Sequence, residues 1–332
     1  MKNTKASCLV IGDGIKGMQN QSIALGKSLG LRPSLLEVKP FWLTRYLPIL
    51  FAGRFNIPLS NDDALLLSVN YDILITCGSR FAGISIGLKR YYLKAKRKLF
   101  TIHIQNPGLS PEHFDLLIVP EHDNITGENI IISKGSLHEV NKDNIKNSFK
   151  YLKSKTLKQL TDHIVVLVGG DTKRQKFTKD AVVKFLNEIK RMQKIFGSSV
   201  FISLSRRTPD FFSSLIIDVK IPKTTVWDPK ENEDNPYPGI INKAKFILVT
   251  TDSINMLSEA TSTGKAVYGY DLIRPNKRKD KFIKSLISKK LFSYSSSIKK
   301  SNSIFKIKDH IDNEVNRIGK LIKVKYLINY YD

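Results

Sequence analysis

Asp252, Ser253 and Glu259 combine residue types and spacing suited to a phosphorylated sugar. They lie in KFILVTTDSINMLSEATSTGKAVYGYD, residues 245–271, where the short apolar run Phe246–Val249 reads as a strand buried on both faces. Any of Thr251, Asp252 and Ser253 can cap a helix that begins near Ile254 and stops at Gly264. A helix N-terminus at the carboxyl end of a parallel strand offers free N–H groups and a positive dipole end, which suits phosphate. On that helix Asp252, Asn255, Met256 and Glu259 share one stripe. A carboxylate about two turns in, at Glu259, can accept hydrogen bonds from sugar hydroxyls.

Two further strand ends carry matching chemistry. Gly169 and Gly170 close the strand Ile164–Val168, and consecutive N–H groups in such a turn can hold an oxyanion. Ser205 and Arg206 follow the next strand, Val200–Leu204, and with Arg207 they offer the planar fork that pairs with phosphate. The loop ENEDNPYPG places Asn235 and Tyr237 ahead of the Asp252 strand, where they are expected near a base or sugar. Convergence of these ends predicts a diphosphate site.

The first half has its own candidates. Gly12, Gly14 and Gly17 spell G-x-G-x-x-G after a strand, with Glu37 twenty residues past Gly17, which read literally is a dinucleotide fingerprint. Against that reading, Gln19, Asn20 and Gln21 are polar where the fingerprint usually has small or apolar residues. Lys16 instead suits a loop that contacts a ligand. His122 and Asp123 follow the strand Leu116–Val119, and a histidine beside a carboxylate is a candidate base for an acceptor hydroxyl. Asp13 joins them as a catalytic candidate, with Lys16 and Asn20 as binding residues. No spacing makes a metal site.

These positions require alternating strands and helices, and the chain supplies them: an α/β architecture with parallel sheets in two similar halves. Expected strands run 6–11, 34–38, 73–77, 99–104, 116–119 and 129–132, then 164–168, 200–204, 225–228, 246–249 and 266–268. Helices are expected at 20–29, 64–69, 83–95, 145–160 and 180–196, with a closing helix at 311–327. The reading assigns residues 1–155 to an acceptor-side domain and 160–332 to a nucleotide-sugar domain, the last helix being a candidate to cross back. Two such Rossmann-like domains are expected to face a cleft.

At 332 residues there is length for two cores, and 41% hydrophobic with 25% charged residues is ordinary for a globular protein. Cys8 and Cys77, both in apolar runs, read as reduced core thiols of a cytoplasmic protein. Cys8–Ile11 is too short for a signal-peptide core, and no apolar run approaches the roughly 20 residues of a membrane span. The net charge of +24 favours polyanionic partners, including an anionic membrane surface. Without an aromatic-studded RNA signature, zinc-finger spacing or basic heptads, specific nucleic-acid binding is not expected. The aromatic-apolar stretch Phe41–Phe51 is read as core, a dimer contact, or a segment dipping into a membrane interface.

The run TTDSINMLSEATSTGKAV, preceded by GG and SRR, resembles the donor half of GT-B glycosyltransferases. There a helix bearing a Ser-Glu pair sets its Glu on the ribose of the sugar nucleotide; Ser258, Glu259, Gly264 and Lys265 match, with Ala266 where proline is usual. Seven motifs in order resemble the bacterial members of the mitochondrial-fission ELM-like family: DGIKGMQNQ, IQNP, FDLLIVPEHD, VLVGG, SRRTP, NPYPG and TTDSINMLSEA, spanning about residues 8–271. The first loop departs from that family's D-G-K-P-G-H at Ile15, Lys16 and Met18. The resemblance implies a GT-B-like fold but not a reaction; the function expected on that fold is a metal-independent glycosyltransferase that uses a nucleotide-diphosphate sugar and no other cofactor. A lipid-linked envelope acceptor and a peripheral place at the inner membrane face complete that expectation. A nucleotide-sugar epimerase of the same fold and a non-enzymatic membrane-associated adaptor are the alternatives.

Overall fold

The structure is a computed structural model of the chain and describes residues 6–39, 47, 49–50, 69–153, 155–172, 175–231, 235–300, 304–305 and 314–327. The stretch 41–51 and the helix expected at 64–69 fall almost entirely outside the described residues. Two compact units form: Met1–Glu139 with Glu314–Asp332, and Val140–Asn313.

The first unit holds β1 (Cys8–Gly12), α1 (Lys16–Ser28), β2 (Ser34–Glu37), β3 (Ile73–Cys77), α2 (Ser79–Lys94), β4 (Phe100–Ile104), β5 (Leu116–Pro120) and β6 (Ile130–Ser133). Its sheet is parallel throughout, in the order β2-β1-β3-β4-β5-β6. β1, β3, β4 and β5 are buried at every residue, which is why their apolar runs do not alternate with polar ones.

In the second unit come α3 (Lys142–Lys150), β7 (His163–Leu167), α4 (Lys179–Phe196), β8 (Val200–Ser203), α5 (Phe211–Val219), β9 (Thr224–Trp227), β10 (Ala244–Thr250), α6 (Ile254–Thr261), β11 (Val267–Tyr270), α7 (Lys277–Ser288) and β12 (Ser293–Tyr294). The order β12-β11-β10-β7-β8-β9 is again all parallel. Cores on both faces of this sheet bury Phe185, Phe212 and Tyr268 on one side and Phe201, Leu257 and Phe282 on the other. α4 begins at Thr178, whose hydroxyl accepts the Ala181 N–H, and ends at left-handed Gly197.

Several boundaries differ from the sequence reading. Residues 140–153, assigned above to the first domain, belong to the second unit, where Leu152 and Ser148 close over Gly239. The expected helix 145–160 is two helices, α3 and a short one at Lys155–Gln159. α1 starts at Lys16 rather than Asn20, so Gln19 and Gln21 lie inside it and are buried. The closing helix α8 (Glu314–Ile322) packs Val315, Ile318 and Ile322 into the first unit's core. There the Glu314 carboxylate accepts the Lys134 N–H at 2.9 Å and pairs with Arg317 at 2.6 Å.

Candidate functional site

The strand order explains how three distant segments meet. β7 lies between β10 and β8, so the turns after these strands emerge side by side on one edge. At the end of β7 the Gly169 N–H donates to Thr250 Oγ1 at 2.8 Å and the Gly170 N–H to Asp252 Oδ2 at 3.0 Å. Thr250 donates in turn to Asp252 Oδ1 at 2.7 Å. From the other side Ser205 and Thr208 hydroxyls both donate to the Gly169 carbonyl, at 2.8 and 2.6 Å. A Cβ on Gly169 would strike the Asp252 carboxylate, and one on Gly170 the Arg207–Thr208 backbone. Glycine is therefore required at both positions by close approach.

This arrangement corrects one expectation. The Gly169 and Gly170 N–H groups are spent on Thr250 and Asp252, so they hold the turn together instead of being offered to a diphosphate. Asp252 is likewise committed, its side chain buried. The two arginines divide. Arg207 donates to the Gly170 and Asp171 carbonyls at 3.3 and 3.0 Å and faces Asp252 at 3.4 Å. Arg206 is exposed and makes no such bond among the described residues.

Ser253 caps α6, its hydroxyl accepting the Met256 N–H at 3.4 Å. Glu259, two turns along, is half-buried, and burial alone pushes its carboxyl up to about 7. Tyr237, on the short helix Tyr237–Ile240, is close enough to feel that charge. Its buried hydroxyl has no hydrogen-bond partner among the described residues, and burial raises its pKa well above the ordinary value. Exposed Asn235 accepts the Tyr237 N–H at 3.0 Å and shapes that turn. Among the described residues neither the Glu259 carboxylate nor the Tyr237 hydroxyl has a hydrogen-bond partner, which makes the pair a candidate binding feature.

Sequence reasoning missed Lys279. It sits in the first turn of α7, in the region after Asp271 that no motif reached, and is half-buried within reach of the fields of Asp252 and Arg207. Burial holds its ammonium below the usual lysine range. The signal available was Asn276, which caps α7 by accepting the Lys279 N–H.

In the first unit, Asp13 pairs with Arg80 at 2.5 Å, and its Oδ1 accepts the Ile15 N–H. Lys16 and Asn20, on the opening turns of α1, are exposed. His122 and Asp123 stand on the turn Glu121–Asp123 after β5; the His122 side chain lies outside the described residues. β1 and β5 are three strand spacings apart, about 14 Å, so Asp13 and Asp123 share an edge without being neighbours. The Gln19 side chain fills the space over Gly12 and donates to Glu37 Oε1 at 2.7 Å. A dinucleotide would need that space, and its ribose would need Glu37. The nicotinamide reading is therefore disfavoured.

Comparisons with known proteins agree with this layout. A solved UDP-GlcNAc 2-epimerase from Neisseria meningitidis, bound to UDP-GlcNAc, is 14% identical with a TM-score of 0.56, covering 97% of this chain and 99% of its own. That likeness shows the fold: two Rossmann-like α/β units of the GT-B type. Among curated sequences, an uncharacterized protein of Rickettsia prowazekii is 28% identical, covering 96% of this chain and 98% of its own length. The mitochondrial fission protein ELM1 of Arabidopsis thaliana is 26% identical over 80% of this chain and 79% of its own. With the family model for Mitochondrial fission ELM1 matching residues 16–308, a span that takes in the Gly169 turn, the Arg206 loop and Glu259, the chain belongs to that family.

Proposed function

We propose that the second unit binds a nucleotide-diphosphate sugar and that the protein is a metal-independent glycosyltransferase. The observation that carries this is the Glu259 carboxylate, about two turns into capped α6, near the buried Tyr237 hydroxyl of the helix Tyr237–Ile240, neither with a hydrogen-bond partner among the described residues. Glu259, once ionised, accepts the ribose hydroxyls. Ser253 and the first N–H groups of α6 face the phosphates, and Arg206 with Lys279 supplies positive charge for the departing diphosphate. Asn235, Tyr237 and Met256 border the base or sugar. The first unit handles the acceptor through Lys16 and Asn20, with His122 or Asp123 taking the acceptor proton. Asp13 orders the loop through Arg80. A lipid-linked envelope glycolipid is the proposed acceptor, reached from the inner face of the membrane.

UDP-GlcNAc, the ligand of the similarly folded Neisseria protein, is the first ligand to test. Calorimetric titration of the full chain should show binding that Glu259→Ala abolishes without lowering the melting temperature. Equal affinity of the two proteins rejects the site. Product analysis with the sugar nucleotide alone separates the epimerase alternative, which changes the sugar without an acceptor, from a transferase, which needs one.

A further inference from the structure

A second surface lies at the opposite edge of the first unit's sheet. α2 leaves β3 at the edge that carries Asp13 and runs back, so its last turn and the loop into β4 lie where the strands begin. The segment from Lys89 to Lys98 reads KRYYLKAKRK, and residues 90, 91 and 93–98 are all exposed. Tyr92 alone turns inward, its hydroxyl accepting the Tyr71 N–H at 3.1 Å. Helical spacing then sends Tyr91 and Leu93 outward, 61% and 63% exposed. Around them Arg90, Lys94, Lys96 and Lys98 carry no ion pair among the described residues.

The same edge receives the segment that follows α8. After α8 a wider turn, Lys323–Leu327, brings the Tyr326 ring to 6.4 Å from Phe100, and its hydroxyl to the Glu128 carbonyl. This adds Lys323, Lys325 and Val324, the last 70% exposed. Acidic groups nearby offset only part of the charge: Asp115 is paired with Lys89 at 2.7 Å, and Asp72, bonded by the Ser7 N–H and hydroxyl, keeps its negative charge. Among the described residues the exposed Glu112 and Glu128 also lie at this edge, and the cations still outnumber the acids.

We propose that this edge of the first unit docks on a bilayer surface rich in anionic headgroups, with Tyr91, Leu93 and Val324 entering the interface and the surrounding cations facing the phosphates. Charge alone would serve a nucleic acid equally well. Exposed aliphatic side chains set among the cations are rewarded by the headgroup–acyl boundary and not by a phosphate backbone. The surface deepens the membrane-facing part of the reading above and uses nothing in the donor site. Vesicle binding is read without a sugar nucleotide, so either proposal can fail alone.

The test is co-sedimentation of the full chain with phosphatidylcholine vesicles, with and without 30 mol% phosphatidylglycerol (about a third of the lipid, a typical anionic surface). Wild type should bind the anionic vesicles at least about tenfold more strongly than neutral ones, and less strongly at high salt. Lys94→Glu/Lys96→Glu/Lys98→Glu should remove that preference with an unchanged melting curve. Tyr91→Ser/Leu93→Ser should weaken binding several-fold while keeping the salt dependence. As a charge control, Lys190→Glu/Lys194→Glu/Lys223→Glu alters a basic cavity of about 570 Å³ in the second unit and should leave binding within about twofold. The proposal is overturned if wild type ignores anionic vesicles, if the control triple matches the Lys94 triple, or if the Lys94 triple abolishes only duplex DNA binding.

Discussion

Asp252 takes the Gly170 amide at 3.0 Å on the same carboxylate oxygen that faces the Arg207 guanidinium at 3.4 Å. One buried acid therefore ties the ends of β7, β8 and β10 together, through Gly170, Arg207 and Thr250. It is the keystone of the candidate site rather than a ligand group.

Removing it should cost fold stability. Asp252→Ala leaves a buried amide and a buried hydroxyl without acceptors, a loss of about 2–3 kcal/mol. Arg207, with a side chain 46% exposed, adds little to that sum. Asp252→Asn keeps one acceptor and should lose about half as much. Urea unfolding of the three proteins measures this, and an Ala variant as stable as wild type would contradict the keystone role.

The two adjacent arginines should separate into different phenotypes. Arg206→Ala should weaken UDP-GlcNAc binding about tenfold with the melting curve unchanged. Arg207→Ala should lower stability by about 1 kcal/mol. Lys279→Met should resemble Arg206→Ala. Calorimetric titration and thermal melts on the same samples check the split; a reversed assignment of the arginines defeats it.

Glu259 predicts two pH effects of opposite sense. Its folded pKa of about 7 lies above the ordinary 4.5, so the native state holds the extra proton between those values. Stability therefore falls as pH rises from 4.5 to 7, and the penalty stays constant above 7. Glu259→Gln should melt higher than wild type at pH 8 and match it at pH 4.5. Sugar-nucleotide affinity should instead rise with pH, levelling off above about 8, because hydroxyls are accepted by the ionised form. A flat affinity profile would remove Glu259 from the ribose.

Acid should destabilise the first unit through His103. Its ring is buried, bonded to Thr76 at 2.8 Å and packed on Phe114, and burial pushes its pKa down to about 3. The unfolded chain takes up a proton near 6.5 that the fold refuses. Stability is thus lost as pH falls from 6.5 toward 3, at about 1.4 kcal/mol per pH unit. In the second unit His163, pushed down to about 4, and Glu259 offset each other between pH 4.5 and 6.5. His103→Gln should flatten the acid slope of the first unit by that amount, as denaturant titrations at several pH values will show.

Much of the site was legible because it is local. The capped start of α6, the glycine pair after β7 and the arginines after β8 each declare themselves within a few residues. What local pattern could not reveal is which groups are already spent. Gly169 and Gly170 look like free donors in sequence, and Arg206 looks no different from Arg207. Lys279 was missed for the converse reason: the Asn276 cap marks only where α7 begins, and its meaning depends on α7 returning its first turn to this edge, which no local pattern encodes.

The amino-acid order by itself determined the alternation of fully apolar strands with capped helices, and so the two parallel sheets, since strands buried on both faces must read as unbroken apolar runs. Only the tertiary structure decided the strand order β10-β7-β8, the transfer of residues 140–153 to the second unit and the return of α8 to the first. Those choices depend on which faces bury against which, over separations that no local periodicity encodes. They also decide that Asp252 is consumed by the fold while the Glu259 side chain makes no hydrogen bond among the described residues.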